Sequence, residues 1–198
     1  MNMLSFKQNV NKFVLLLTVG VSSVVFAEES FLSKIDELAQ IEYAKDVKNS
    51  ALSYKKRAEA LEKITNIEIL SDIAQKDKDV NIRSKAIEKD LPENVLISIS
   101  QLEGNQKLRA QAINKVSDQN ALMKYVNDNR NHFNDRVAVL NRITEQPLLA
   151  EIALTVEDVN IRKKVIPMLT LEDVLEQIQE EDNSKAVREA AKRRLDVL

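Results

Sequence analysis

The sequence predicts an all-α protein built from two-helix repeats of about 26 residues, and three observations carry this prediction. The 198-residue chain has only 2 glycines, 3 prolines and 4% aromatic residues, so it is rich in helix formers and poor in the turn residues of sheets. An arginine recurs with successive steps of 26, 26, 27, 26 and 26 residues, and apolar residues recur at constant distances from it. A fixed period of roughly 20–50 residues is typical of stacked repeats. The recurring arginines, here called the arginine ladder, are Arg57, Arg83, Arg109, Arg136, Arg162 and Arg188.

The first helix of each repeat, helix A, is predicted around the arginine, which is counted as position zero. Positions +3, +4 and +7 are apolar in most copies and lie on one face of a helix that runs from about −3 to +7. Large apolar residues at −3, such as Tyr54, Phe133 and Val159, are expected to extend this buried face by one turn. In the fifth copy Pro167 stands at +5, and its missing N–H predicts that helix A ends early or kinks near Ile166.

The second helix, helix B, is predicted to start near +9. Four of five copies have a hydroxyl residue at +8, which is a residue type that caps helix starts, and Thr65 with Glu68 matches a capping box. Helix B then carries one leucine per copy, thirteen residues after the arginine, which is expected to be buried between repeats. These leucines are Leu70, Leu96, Leu122, Leu149 and Leu175.

The start of the chain is predicted to be a cleaved secretory signal peptide, residues 1–27. Lys7 and Lys12 precede a mostly apolar stretch, and small residues precede the expected cleavage after Ala27. About 15 apolar residues fall short of the roughly 20 that span a bilayer, which disfavours the alternative of an uncleaved anchor. The expected product is periplasmic or secreted, with no membrane attachment after cleavage. Residues 28–52 are predicted to be a degenerate N-terminal capping repeat, and residues 53–198 are predicted to hold the repeats and end in a half repeat.

Composition argues against several classes of function. Cleavage would remove two lysines, so 27 basic residues would face 31 acidic ones, a net charge of 27 − 31 = −4 that has no pull toward nucleic acid. The chain has no cysteine and only one histidine, His132, which falls short of the usual metal-ligand clusters. No nucleophile elbow or glycine-rich phosphate loop is present. We therefore expect no enzyme activity, no cofactor, no metal and no nucleic-acid partner.

Two copies of the repeat show a family resemblance. The segments 79–83 and 158–162 read DVNIR, and each is followed one residue later by KAI or KVI. They resemble the HEAT-like repeat family, in particular the short forms called PBS-lyase HEAT-like repeats and leucine-rich repeat variants, over about residues 53–198. The resemblance implies a right-handed α-solenoid with helix A on the convex side, helix B on the concave side, and a role as a protein-binding scaffold. Lyases exist in the wider family, so an enzyme or enzyme subunit that holds a ligand in the concavity is the alternative.

Two periodic rows of basic residues each allow two interpretations. The arginine ladder is either an anion-binding stripe or a set of structural bonds to aspartates and helix-end carbonyls of neighbouring repeats, and its strict period favours the structural role. A second row at +6 is either a nucleic-acid stripe or a set of partners for helix dipoles, and acidic neighbours favour the latter. Its members are Lys63, Lys89, Lys115, Arg142 and Arg194.

The candidate partner site lies on the predicted outward face of helix B in the middle repeats. Positions +11, +15 and +18 carry five acids and one base across all copies, with uncharged polar residues in the middle. The loop NDNRNHFND, residues 127–135, holds the one extra residue and the only histidine, and loops that break a pattern often carry function. A merely solvated face and a tolerated insertion remain the alternatives. The residues predicted to bind a protein partner are Ser98, Gln101, Lys124, Asn127 and His132.

Overall fold

The computed structural model describes residues 22–198, with side chains from residue 31 onward, and all regular secondary structure in this range is helical. The predicted signal peptide lies outside the described residues except for 22–27, which begin the first helix. The helices are α1 (Ser22–Lys48), α2 (Tyr54–Glu62), α3 (Ile67–Lys76), α4 (Val80–Glu88), α5 (Glu93–Leu102), α6 (Gln106–Asn114), α7 (Gln119–Asn127), α8 (Phe133–Leu140), α9 (Gln146–Thr155), α10 (Val159–Val165), a 3-10 turn (Ile166–Met168), α11 (Glu172–Glu181) and α12 (Lys185–Leu195). The all-α prediction is thereby confirmed for the described residues.

The chain forms two compact units that divide between Leu70 and Ser71. In the first unit the long helix α1 contacts α2. Its core includes Val47 and Leu61, both fully buried. One continuous helix thus occupies the segment that was predicted to be a degenerate capping repeat, and the predicted boundary at residue 28 falls inside it.

In the second unit the helices contact one another in a repeating order. Along the A helices, α4 contacts α6, α6 contacts α8, α8 contacts α10, and α10 contacts α12. Along the B helices, α7 contacts α9 and α9 contacts α11. Each B helix from α5 onward also contacts the A helix that follows it. The sequence period is therefore also a period of helix packing, in which each helix pair buries its apolar face against the next pair.

The predicted start of helix A at −3 is confirmed in every copy, whereas its predicted end at +7 is confirmed only in the last copy, where α12 ends at Leu195, and is wrong in the others. Helices α2, α4 and α6 end at +5, with Glu62, Glu88 and Asn114. In the fifth copy α10 ends earlier, at Val165, and the chain continues as the 3-10 turn that contains Pro167. This confirms the prediction for Pro167, whose ring and missing N–H are incompatible with a further α-helical turn.

Helix B begins one residue later than predicted, and the predicted caps at +8 are wrong. In α3 the cap is Asn66, whose side chain accepts a hydrogen bond from the N–H of Ile69 at 3.0 Å, and not Thr65. In α7 the cap is Asp118, which accepts from Ala121 at 2.7 Å, and not Ser117. The residue at +9 supplies the cap in both copies, because its side chain accepts from the N–H three residues further on.

The buried face agrees with the pattern at most positions. The five predicted leucines of the B helices are between 0% and 3% exposed. The apolar residues at −3 do not extend this face, because Tyr54, Phe133 and Val159 are 50%, 39% and 37% exposed at the first turn of their helices. Position −1 is buried instead in every copy after the first, where it is the exposed Lys56, and in most copies it holds an aliphatic residue such as Ile82 or Ile161, both 0% exposed.

Candidate functional site

The arginine ladder joins each repeat to the loops around it. Arg162 donates from Nε and Nη2 to the carboxylate of Asp182 at 2.8 and 3.0 Å, and from Nη1 to the carbonyls of Val156 and Glu157 at 2.7 and 2.9 Å. The two carbonyls lie in the loop that follows helix α9, and Asp182 lies in the loop before α12. One guanidinium group therefore links two successive loops, using the planar geometry that lysine lacks.

The other arginines make bonds of the same kind. Arg83 binds Glu103 at 2.8 Å and the carbonyl of Asp77, and Arg188 donates to the carbonyl of Asp182 at 2.6 Å. In the first unit Arg57 donates to the carbonyl of Val47 at 2.5 Å. In Arg83 and Arg162 these bonds occupy the guanidinium edges that an anion would need.

The acids of these pairs have lowered pKa values. Burial alone would raise the pKa of Glu103, but hydrogen bonds from Arg83 and from the N–H of Asn105 outweigh it, so the pKa lies below the ordinary value. Burial would likewise raise the pKa of Asp182, but hydrogen bonds from Arg162 and from the N–H of Ser184 lower it below the ordinary value. Both carboxylates are therefore held in the charged form.

The fourth copy departs from this arrangement. Arg136 donates from Nε to the carbonyl of Val126 at 2.6 Å and from Nη1 to Asp158 at 3.1 Å, while its buried Nη2 has no partner among the described residues. Arg109 pairs with the buried Asp135 at 2.8 Å, at position −1 of the next copy, where other copies have aliphatic residues. The inserted loop thus alters the bonding partners of two ladder arginines, Arg109 and Arg136.

The basic row at +6 caps helix ends. Lys115 donates from Nζ to the carbonyls of Ile87, Glu88 and Lys89 at 2.9, 3.0 and 2.6 Å, the last turn of the preceding A helix. Arg142, at +6 of the next copy, donates in the same way to the carbonyl of Ile113, which lies in the A helix before its own. These cations satisfy free carbonyls at the negative end of the helix dipole.

A third periodic device, which we call the glutamine clamp, was not predicted. Gln119, the first residue of α7, accepts from the N–H of Thr144 at 3.0 Å and donates to the carbonyl of Arg142 at 3.3 Å. Gln146 binds Thr170 and Met168 in the same pattern at 2.8 and 3.0 Å. The amide side chain matches one donor and one acceptor of the next copy. The recurrence of Gln or Glu at +10 was the available signal.

A glutamate fills the equivalent position in α5. Glu93 accepts from both the N–H and the hydroxyl of Ser117, at 2.7 and 2.8 Å. The backbone bond from Ser117 is the first cause of its lowered pKa, followed by the hydroxyl bond. A carboxylate cannot donate to the carbonyl, and the serine hydroxyl supplies the second donor instead.

The five predicted partner-binding residues lie on three elements of the second unit. Ser98 and Gln101 are on α5, Lys124 and Asn127 are on α7, and His132 precedes α8. Gln101, Lys124 and His132 are exposed, whereas Ser98 and Asn127 are half-buried. Within the described residues, only Asn127 uses its side chain in a contact, donating to Met123 Sδ at 3.2 Å, and its buried Oδ1 has no partner. The other four side chains are free for binding.

Two grooves lie between the C-terminal ends of B helices at equivalent places in the repeat. The α3–α5 groove has a volume of about 420 Å³, and Ser98 and Leu102 line it. The α9–α11 groove has a volume of about 590 Å³ and is lined by Leu154, Val159 and Gln177 among others. Of the predicted residues, only Ser98 lines one of these two grooves.

Each groove contains an exposed leucine that departs from the repeat pattern. Leu102 is 81% exposed and Leu154 is 43% exposed. Leu102 stands at +19, where the other copies have Lys, Asp, Thr and Glu, and Leu154 stands at +18, where they have Gln, Gln, Asn and Glu. Because polar residues serve at these positions elsewhere, the fold does not require a leucine there.

Among residues 22–198 no group of three or more His, Cys, Asp or Glu side chains is placed to hold a metal ion. No helix in the same range combines the length and the apolar character that crossing a bilayer requires. Compared with protein-family models, curated proteins and solved structures, the chain shows no significant match to any of them.

Proposed function

We propose that this protein is an α-solenoid of HEAT-like repeats that binds another protein through the surface formed by its B helices. The predicted signal peptide would place it in the periplasm or outside the cell. The family resemblance supports the scaffold class, and the repeating helix contacts of the second unit are those that such an architecture needs.

The observation that carries the proposal is the pair of exposed leucines in the two grooves. A leucine that lines a concave site on a polar surface supports a role in binding, because burying it there would release water from apolar surface. By contrast, the two basic rows are engaged in bonds inside the repeat stack. The B-helix ends therefore offer apolar surface and free polar groups that the A-helix rows do not.

The predicted partner-binding residues extend this surface. Ser98 shares a groove with Leu102, and Gln101 is exposed on the same helix. We place Lys124, Asn127 and His132 in the contact area of the same partner, on the next helix pair.

The proposal is tested by capture from an envelope fraction with the full chain as bait. Leu102→Ser and Leu154→Ser should each lower recovery of the specific partner several-fold without a change in melting temperature, since both side chains are exposed. Lys107→Glu and Lys163→Glu, at exposed positions of A helices, are the controls and should leave recovery unchanged. Equal recovery with both sets would contradict the proposal. A small molecule that co-purifies with the chain and occupies a groove would favour the enzyme alternative.

A further inference from the structure

The α9–α11 groove is acidic once its internal ion pair is counted. Its four ionisable lining residues are Glu157, Arg162, Glu181 and Asp182, which sum to 1 − 3 = −2. Arg162 and Asp182 neutralise each other at 2.8 Å, so the remaining charge belongs to Glu157 and Glu181. The donors to these two glutamates are neutral amides, from Asn129 at 3.5 Å and Gln177 at 2.9 Å.

The neighbouring surface reinforces this negative field. Helix α11 exposes Glu172, Asp173, Glu176 and Glu180, and the segment 171–184 contains no lysine or arginine. Lysines on α10 are exposed, but they do not line the groove. Arg188 acts on Asp182 but does not line the groove, so a cation that enters it meets the carboxylates of Glu157 and Glu181, which have only amide donors.

The same groove has an apolar wall. Leu154 and Val159 are 43% and 37% exposed along it, and the buried Ala153 and Ile178 also line it. Its volume of about 590 Å³ lies within the range of sites that take small ligands or a few side chains. Negative charge beside apolar surface is complementary to a segment that is both basic and apolar.

The α3–α5 groove supplies an internal comparison. Its ionisable lining residues are Lys76, Asp77, Arg83 and Glu103, whose charges sum to 2 − 2 = 0. It has the same place in the repeat and its own exposed leucine, but it lacks the uncompensated charge. The difference in net charge should therefore determine which ligands each of the two grooves binds.

We infer that the α9–α11 groove binds a basic segment of the partner protein, in which an apolar side chain is flanked by lysine or arginine. This rests on the proposed function and names the chemistry of the partner at that site. The apolar side chain packs against Leu154, and the flanking cations face Glu157 and Glu181. Such charge complementarity selects basic segments and repels acidic ones.

The test uses the full chain and two fluorescent synthetic peptides of equal length, each with a central leucine pair. One peptide has two lysines on either side of the pair and the other has two glutamates. Fluorescence anisotropy should show at least tenfold tighter binding of the lysine peptide, weakening as salt rises from about 50 to 200 mM because screening increases.

Variants of the groove residues test where the lysine peptide binds. Leu154→Ser and the double change Glu157→Gln with Glu181→Gln should each weaken lysine-peptide binding at least fivefold. Leu102→Ser in the neutral groove should leave it unchanged. Glu59→Gln with Glu145→Gln removes the same charge from exposed acids that line neither groove, and it should also have no effect.

The inference is overturned if the glutamate peptide binds equally well, if no peptide binds, or if the Glu59 and Glu145 pair has the same effect as the groove pair. These outcomes can be distinguished from a failure of the proposed function. If capture of a partner still depends on Leu102 and Leu154 while the lysine peptide fails, only the basic character of the segment is wrong.

Discussion

Asp135 shows how one side chain adapts the repeat to an insertion. The loop between α7 and α8 has five residues, 128–132, where the neighbouring loops have three. In two other loops the ladder acid is Glu103 or Asp182 at −6, but −6 of this copy is the exposed Arg130. Asp135 replaces an aliphatic residue at −1 and supplies the buried carboxylate for Arg109.

This pair yields a prediction about buried charge. Arg109→Met alone should lower the free energy of unfolding by about 3–5 kcal/mol, because it leaves the Asp135 carboxylate buried without a cation. Arg109→Met with Asp135→Leu should regain most of that loss, since other copies carry an aliphatic residue at −1. Urea denaturation measures both. A double variant no more stable than the single one would contradict the account.

The buried leucines give a simpler prediction at the same scale. Leu122 is 1% exposed, so Leu122→Ala should cost about 2–5 kcal/mol through lost burial and a cavity. Lys124, two residues further along α7, is exposed, and Lys124→Ala should stay within about 0.5 kcal/mol. Indistinguishable unfolding curves for the two variants would show that the register of α7 is wrong.

At the scale of the helix, the ends are determined by neighbouring repeats as much as by local sequence. The glutamine clamp bonds the N–H at +8 and the carbonyl at +6 of the next copy, and the basic row bonds the carbonyls of the preceding A helix. Both groups are ones that an isolated helix leaves unsatisfied. The clamp therefore holds the connection between helix A and helix B from the preceding repeat.

The clamp can be tested at Gln119. Gln119→Leu removes both bonds and should lower the free energy of unfolding by about 1–3 kcal/mol, at roughly 0.5–1.5 kcal/mol for each hydrogen bond. Gln119→Glu keeps the bond from Thr144 but cannot donate to Arg142, so its loss should be smaller. The matched control is Gln106→Leu, at an exposed glutamine that begins α6 and makes no side-chain bond. If guanidinium denaturation shows the same loss in free energy of unfolding for Gln106→Leu as for Gln119→Leu, the clamp is refuted.

At the scale of the whole molecule, the period predicted much of the fold. Spacing alone predicted the helix pairs, the start of each helix A and the buried leucines, and the chemistry of proline predicted the break at Pro167, because these depend on residues within one repeat. The clamp was missed because it depends on contacts between repeats, and the caps were missed because the side chain at +9, and not the hydroxyl at +8, caps helix B. The exposure at −3 was also missed. For the candidate site, the sequence predicted an outward face that includes Ser98. The grooves themselves were not predictable, because they form where successive helix ends lie apart.

The paired acids predict how stability depends on pH. Glu103 and Asp182 have lowered pKa values in the folded state, whereas the unfolded chain has ordinary values of about 4.3 and 3.9. The unfolded state therefore binds more protons in this range, and stability rises with pH. This contribution is complete above about pH 5 and is lost as pH falls through the folded values.

The measurement is the melting temperature between pH 5 and pH 3. The wild-type value should fall steeply over this interval. Glu103→Gln with Asp182→Asn should start lower at pH 5 and fall less, because neither amide titrates. Parallel curves for the two proteins would mean that these ladder acids do not control the acid limit.

The central claim is that the groove leucines contact a protein partner, and site-specific photo-crosslinking in living cells tests it most directly. A photoreactive amino acid replaces Leu102 or Leu154 in the full chain, and in matched controls it replaces Lys107 or Lys163 on the A helices. We expect the same discrete adduct from both groove positions and none from the controls. Adducts that form equally from the A helices, or no adduct from either groove, would contradict the claim.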